Sequence, residues 1–397
     1  YMKRSFLAVV LFVAFASCSW QIVDSDFATI AIATSFWEST TGYVAGGTAS
    51  VQPLFLYTTD GGNTLTNQGM NDSSVGAMLS IRMSSNGQWG IAGGLGFIEI
   101  PCGAYTNDGF TWYNMEDEFF LFCAFQGASV VDDSQTGVLV GSFSDRRDWT
   151  GNGIKITTNG GQKWSQINGD TGGTPVRYAS FISKDQGYVT AGIWPEADFK
   201  TENWESMTEY PINRHLTMDI LENRVKFVRP ESRATTGYIG LISSVTNEGK
   251  NWKLMVNETD QGIYFNEISC TDANTCWTVA QGVDGFGNDT SMIYHTTDGW
   301  NTFDIQLTVP GASLTCIDMH AENGSFRGWT GGALLQGTSL KGDFDGIFYQ
   351  TTDGINWTFD SAIKNYFPMD VSAPDSTHAY SAGITPIGLS SFASWSS

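Results

Sequence analysis

The chain carries 41 acidic side chains against 20 basic ones and only four histidines. Carboxylates at this density suit three kinds of chemistry. They can pair as acid and base across a cleft to hydrolyse a glycosidic bond. They can offer oxygen ligands to a hard cation. They can also accept hydrogen bonds from backbone N–H groups and so fix turns. For the first use, 41 acids guarantee that some pair qualifies, so composition neither singles one out nor excludes one. For the second, Asp343 and Asp345, or Asp284, Asn288 and Asp289, offer Ca²⁺-type oxygens, though solvated loop turns explain them as well. His215, His295, His320 and His378 are scattered without zinc spacing. No Gly-rich loop opens a helix, so neither a nucleotide site nor a cofactor is expected.

The third use is the one that repeats. Tyr57-Thr58-Thr59-Asp60-Gly61-Gly62 returns as Thr106-Asn107-Asp108-Gly109, Thr157-Thr158-Asn159-Gly160, Thr246-Asn247-Glu248-Gly249, Thr296-Thr297-Asp298-Gly299 and Thr351-Thr352-Asp353-Gly354. A bulky apolar residue follows each turn: Leu65, Trp112, Trp164, Trp252, Phe303 and Trp357. The interval between Trp164 and Trp252 is nearly double the others, and Trp204 marks a degenerate seventh copy within it. An Asp or Asn side chain fixes such a turn, Gly supplies positive φ, and the following aromatic buries apolar area worth about 1.5–3 kcal/mol. These aspartates are expected to be structural rather than catalytic.

A second periodic signal lies upstream of the turns. Short apolar strands ending in Gly start at Gly42, Trp89, Gly137, Gly187, Gly237, Trp277, Gly328 and His378. Each unit of about 48 residues then reads as four antiparallel strands joined by tight turns, the period of a propeller blade. The expected fold is all-β: a seven-bladed β-propeller over residues 20–365, with a pair of strands within 366–397 left without a closing hairpin. That tail is expected to close a blade, form a partial eighth blade, or add to a neighbouring subunit.

Composition sets the outer limits. The formal charge is −21, which repels phosphate backbones and anionic lipid, so no nucleic-acid partner is expected. Aromatics at 13%, 45 glycines and only 15% charged residues suit a strand-rich fold with many turns. Residues 1–19 read as a secretory signal peptide: Lys3-Arg4, an apolar run from Phe6 to Ala16, then small residues. No later run is long enough to span a membrane, so no insertion is expected. Secretion is therefore expected, or a periplasmic or Cys18-lipidated form in a bacterium. The six cysteines fit an oxidising compartment, with Cys270 and Cys276 across a hairpin and Cys102 with Cys123 between units as candidate pairs. Candidate N-glycan acceptors are Asn71, Asn257, Asn288, Asn323 and Asn356. The insert from Trp194 to His215, holding Trp204, Tyr210 and Arg214, departs from the repeat and is a candidate partner surface.

The turn motif resembles the Asp-box, or BNR repeat, carried best by Thr58 to Leu65 and Thr296 to Phe303. Whole units, with Gly42-Tyr43-Val44-Ala45-Gly46 ahead of the turn, resemble propellers of the photosystem II assembly-factor type, within a superfamily that includes sortilin-like and sialidase-like propellers. The resemblance implies a fold but no single function. Sialidases of this fold use an early Arg in a Phe/Tyr-Arg-Ile-Pro phrase. Here Ile100-Pro101 follows Glu99, and Arg82 is the first arginine after the leader. The expectation is a secreted, non-catalytic propeller glycoprotein serving as a binding or structural module. Its partners would be protein, glycan or copies of itself, the last giving an extracellular polymer through the terminal strands. The alternative is a glycan hydrolase, betrayed by an Arg or paired carboxylates converging at the central channel or the top face. An assembly factor of a photosynthetic lumen is the third reading.

Overall fold

The computed structural model describes residues 20–24, 29–48, 52–70, 76–97, 102–115, 122–132, 134–144, 153–169, 171, 174, 176–193, 239–283, 289–322, 324–335, 344–385 and 390–396. Antiparallel strands make up nearly all of it. The one helical element described is the short 3-10 turn Thr259–Gln261, and no described helix is long and apolar enough to cross a membrane.

The strands form seven four-stranded groups among the described residues, here numbered I to VII. Sheets I to VI run consecutively over 29–67, 78–114, 122–168, 176–257, 263–310 and 312–364. Sheets II and III are continuous with each other, because Leu95 to Phe97 pairs with Ala124 to Phe122. The first strands are Thr29–Phe36, Met78–Met83, Phe122–Val131, Val176–Ser183, Ile263–Cys270, Ala312–Glu322 and Phe367–Asp375. Each packs against the first strand of the next sheet, and the last packs back against the first. That cycle defines a ring with the first strands around its axis, as blades of a propeller are arranged.

Sheet VII closes the ring. Its strands Phe367–Asp375, His378–Ile384 and Ser390–Ser396 are joined at the outer edge by Gln21–Asp24 from the N-terminal end. The tail therefore holds three strands, one more than its sequence suggests, and forms no partial eighth blade among the described residues. Ser390–Ser396 is paired on both sides, so its edge is not open to another subunit. The physical reason is economy of free edges: the N-terminal strand covers a row of backbone donors and acceptors that would otherwise stand open.

The strand signal overcounts at one place. Ile239–Thr246 is not a second strand of a new unit; it is the third strand of sheet IV, paired along its length with Gln186–Ile193. Residues 194–238 thus connect two neighbouring strands of one sheet. Trp204 and the 194–215 insert lie outside the described residues. Among the described residues there remain seven Gly-rich second strands and six Asp- or Asn-led turns, since the hairpin of sheet VII is split between the N-terminal strand and the tail.

Large aromatics fill the spaces between sheets. Trp112 of sheet II stacks on Phe55 of sheet I at 4.1 Å between centroids and meets Tyr43 edge-on. Trp164 packs with Trp89 and Ile91 of sheet II, Trp357 with Trp277 and Ile293 of sheet V, and Leu65 with Tyr380 and Phe392 of sheet VII. Trp252 is half-buried against the cluster of Val138, Ile154 and Phe181. Phe303 departs from its expected place. It is 41% exposed, while Trp300, two residues after Asp298, is 1% exposed among Tyr188, Ile242 and Val256 of sheet IV. Trp300 stands where other turns have their second Gly and keeps that positive φ, at 66°. A larger wedge entering from the turn leaves no room for the usual one. Trp300→Ala should therefore cost about 3–5 kcal/mol, and Phe303→Ala no more than about 1 kcal/mol. Urea midpoints of the two variants check this, and the reverse order would refute the assignment.

Candidate functional site

The first strands face a difficulty that determines what lines the channel. Each is the inner strand of its group and, apart from Phe122 to Ala124 in sheet III, has no strand partner on its inner side, so N–H groups there lack a partner within the sheet. Serines of the preceding sheet supply acceptors. Ser35 Oγ accepts from Met83 N–H at 3.0 Å, Ser129 from Phe181 at 2.8 Å, Ser180 from Cys270 at 3.1 Å, Ser269 from Met319 at 3.1 Å and Ser372 from Phe36 at 2.9 Å. Carboxylates do the same work in part of the ring. Asp318 Oδ2 accepts from Ala373 N–H at 2.7 Å, Glu267 Oε2 from Ile317 at 3.1 Å, and Asp370 Oδ2 from Thr34 at 2.9 Å.

These carboxylates converge on one cation. Arg82, on the first strand of sheet II, donates from Nη2 to Glu267 Oε1 of sheet V at 2.6 Å and from Nη1 to Asp370 Oδ2 of sheet VII at 3.2 Å. Its Nη1 also donates to the Thr34 and Ile81 carbonyls at 3.1 and 3.0 Å. The side chains of Arg82, Glu267 and Asp370 are 27%, 6% and 10% exposed. Local irregularity aims two of the acids inward. Glu267 lies within a register shift between Phe265 and Ile268, and Asp370 directly after one between Pro368 and Asp370.

The electrostatics follow from three acids around one guanidinium. Burial pushes the Glu267 carboxyl up, with Asp370 adding to the rise and Arg82 opposing it. Burial likewise pushes Asp318 up to about 6, against the pull of Arg82 and the Ala373 N–H. Burial alone would depress the Arg82 pKa, but Asp370, Glu267 and Asp318 together raise it.

The sequence marks this cluster faintly. Arg82 is visible as the first arginine after the leader, yet Glu267, Asp318 and Asp370 merge into the other acids. The available sign is a charge inside an otherwise apolar first strand: Phe265-Asn266-Glu267-Ile268, Cys316-Ile317-Asp318-Met319 and Pro368-Met369-Asp370-Val371.

The Asp-led turns lie elsewhere, at the channel-distant hairpins, and are self-contained. Asp60 Oδ1 accepts from Thr64 N–H at 2.8 Å and Oδ2 from Thr64 Oγ1 at 2.7 Å. Asp298 repeats both bonds with Thr302. Asp108 accepts from Phe110 and Thr111, and Asp353 from Ile355 and Asn356. Asn159 accepts from Lys163 N–H at 2.9 Å. Asn247 differs: it and Glu248 both have positive φ, and Lys250 N–H donates to the Asn247 carbonyl, so the backbone makes this turn. Hydrogen bonds from Thr64 lower the Asp60 pKa and bonds from Thr302 lower that of Asp298. Asp353 is lowered by Asn356.

A latch between sheets accompanies the turns. Tyr43 Oη donates to the Gly109 carbonyl at 2.7 Å, Tyr188 Oη to Ala273 at 2.7 Å, and Trp277 Nε1 to Gly354 at 3.0 Å. Each ties the start of a second strand to a turn of the next sheet. The aromatic in Gly-Tyr-Val is the sequence sign of it.

The remaining candidates are dispersed. Cys270–Cys276 spans the first hairpin of sheet V and Cys102–Cys123 joins sheets II and III, while Cys316 is buried and free. Asn257 and Asn356 are exposed, and Asn356 Nδ2 donates to Asp353 Oδ2 at 2.7 Å. Asn71, Asn288 and Asn323 lie outside the described residues, as do Asp284, Asp343, Cys18 and His215. Asp345 sits in a strand opposite Lys364. No group of three or more metal-ligating side chains forms among the described residues. His295 pairs with Asp304 at 3.1 Å and His378 with Asp375 at 3.0 Å, on different sheets.

No protein-family model and no curated protein sequence matches the chain. Solved structures do. The structure of YCF48 bound to D1 peptide is 13% identical with a TM-score of 0.55, covering 95% of this chain and 97% of that one. The GH74 xyloglucanase from Xanthomonas campestris is 10% identical with a TM-score of 0.55, covering 94% of this chain and 53% of the other. The chain has a propeller fold. At these identities the likeness is one of fold, and the two neighbours differ in what they do.

Proposed function

We propose that the protein is a secreted, non-catalytic propeller that binds a protein partner through an exposed face. The observation that carries this reading is the occupation of the channel cluster. Arg82, Glu267, Asp318 and Asp370 bond to one another or to the backbone of the next sheet. A glycosidase needs an acid and a base or nucleophile free to meet a sugar and water. Here the convergent carboxylates are engaged in holding sheets together. The YCF48 structure contains a bound peptide, which makes a polypeptide ligand the better-supported class for this fold. The two disulfides and the basic-then-apolar leader support secretion. Asn257, exposed at the end of its strand, is the better-placed glycan acceptor of the two described. Asn356 already uses its amide within a turn.

A second reading has one observation in its favour: carboxylates and an arginine do converge in the channel, the feature expected of a hydrolase. Purified protein incubated with xyloglucan oligosaccharides and sialylated glycans separates the two. The binding reading expects no released product by mass spectrometry and saturable retention on immobilised peptides. Product release that disappears in Glu267→Gln would overturn it.

A further inference from the structure

We propose that the channel cluster is a proton-holding seam: three carboxylates from sheets V, VI and VII share one guanidinium from sheet II, so the ring takes up a proton at Asp318 on passing from neutral to acidic surroundings and is held more firmly there. The inference goes beyond the binding reading and stands whether the molecule binds or hydrolyses.

The geometry is the ground for it. Glu267 and Asp370 already occupy the Arg82 guanidinium, at 2.6 and 3.2 Å. Asp318, on the same lining, has its Ala373 N–H at 2.7 Å and no bond to Arg82 among those of the cluster. With all three acids ionised, the seam would carry two uncompensated negative charges in a confined, poorly solvated space. Like charges gathered around one guanidinium cannot all stay ionised cheaply; burial pushes both Glu267 and Asp318 up, and Asp318 is the one of the two without a bond to the guanidinium. Other charged and titratable groups on elements packed against the Asp318 strand are Glu267 of the first strand of sheet V, His295 of the third strand there, Arg327 of the adjacent strand, and Asp370 and Asp375 of sheet VII. His320 lies two residues along its own strand. Among the described residues none of these donates a hydrogen bond to Asp318; Arg82 and His320 pull its pKa down, while Asp370 pushes it up.

The sign follows from where the protons sit. Burial moves Asp318 from 3.8 up to about 6 on folding. Between those values the folded chain holds a proton that the unfolded chain has released, so stability falls as pH rises through the window. The turn aspartates act oppositely and elsewhere. Asp108 is held down to about 2, by N–H and hydroxyl donors that outweigh its burial, so its contribution is lost only as pH falls below the ordinary carboxylate range.

The test is a pair of thermal-unfolding profiles from pH 4.5 to 7.5 for wild type and Asp318→Asn. The amide keeps an acceptor for Ala373 N–H and removes the titration. The wild-type Tm should fall with rising pH more steeply than that of the variant. The variant should match wild type at pH 4.5 and exceed it by about 2–4 °C at pH 7.5. Parallel profiles, or an equal loss at both ends, would overturn the proposal. An infrared carboxylic-acid C=O band in the folded wild type at pH 5 gives a readout that does not depend on the variant folding. The proposal expects that band to weaken between pH 5 and pH 7, and a band of unchanged intensity, or none at pH 5, would refute it equally.

Discussion

Replacing Arg82 by methionine is expected to lower the unfolding free energy at pH 7 by about 3–5 kcal/mol, the cost of leaving buried carboxylates without their cation. Arg82 reaches from sheet II to sheets V and VII, so its loss sets Glu267 and Asp370 against each other. The methionine stem preserves most of the volume, which separates the charge effect from a cavity. The loss should shrink at pH 5, where protonation relieves the repulsion. Arg82→Lys should fall between the two, since an ammonium cannot present a planar fork to two carboxylates. Chemical denaturation at both pH values measures all three. A methionine variant within about 1 kcal/mol of wild type at pH 7 would show that the seam does not hold the ring.

Ending the chain at residue 389 is expected to abolish cooperative folding. The truncation removes Ser390–Ser396, which is hydrogen-bonded between His378–Ile384 and Gln21–Asp24. It also removes Phe392 and Trp395, both buried. Phe392 lies 5.9 and 5.7 Å from Phe36 and Tyr380, and Trp395 lies 5.1 Å from Trp329. Each such side chain contributes about 1.5–3 kcal/mol of burial, and the opened ring would lose its N-terminal strand as well. Together these approach the whole stability of a typical domain, about 5–15 kcal/mol. Near-ultraviolet circular dichroism and native mass of the truncated chain give the readout. A wild-type transition in a monomer would mean that the last strand is dispensable to the ring and free to serve another copy.

The residues differ in how openly they declare their roles. Asp60, Asp108, Asp298 and Asp353 can be read from the chain because everything they bond lies within four residues. The Cys270–Cys276 disulfide is legible too, because it spans only six positions across one hairpin. Trp300 could not be read, because the turn pattern names a position three residues later and only the space beside Tyr188 and Ile242 decides which ring enters it. Ile239–Thr246 was hidden for a related reason: a Gly-ended apolar strand looks alike in the second or third place of a sheet, and only its partner distinguishes them.

By itself the sequence determined the all-β repeat, the turn chemistry, the interval between sheets and the acidic character of the surface. All of these depend on neighbours within one unit. Tertiary structure alone decided that the N-terminal strand completes the last sheet and that Arg82, Glu267, Asp318 and Asp370 meet at the axis. Those residues are separated by up to 288 positions. Ring closure brings them together, and a charge in a strand carries no local mark of what it will face across a channel.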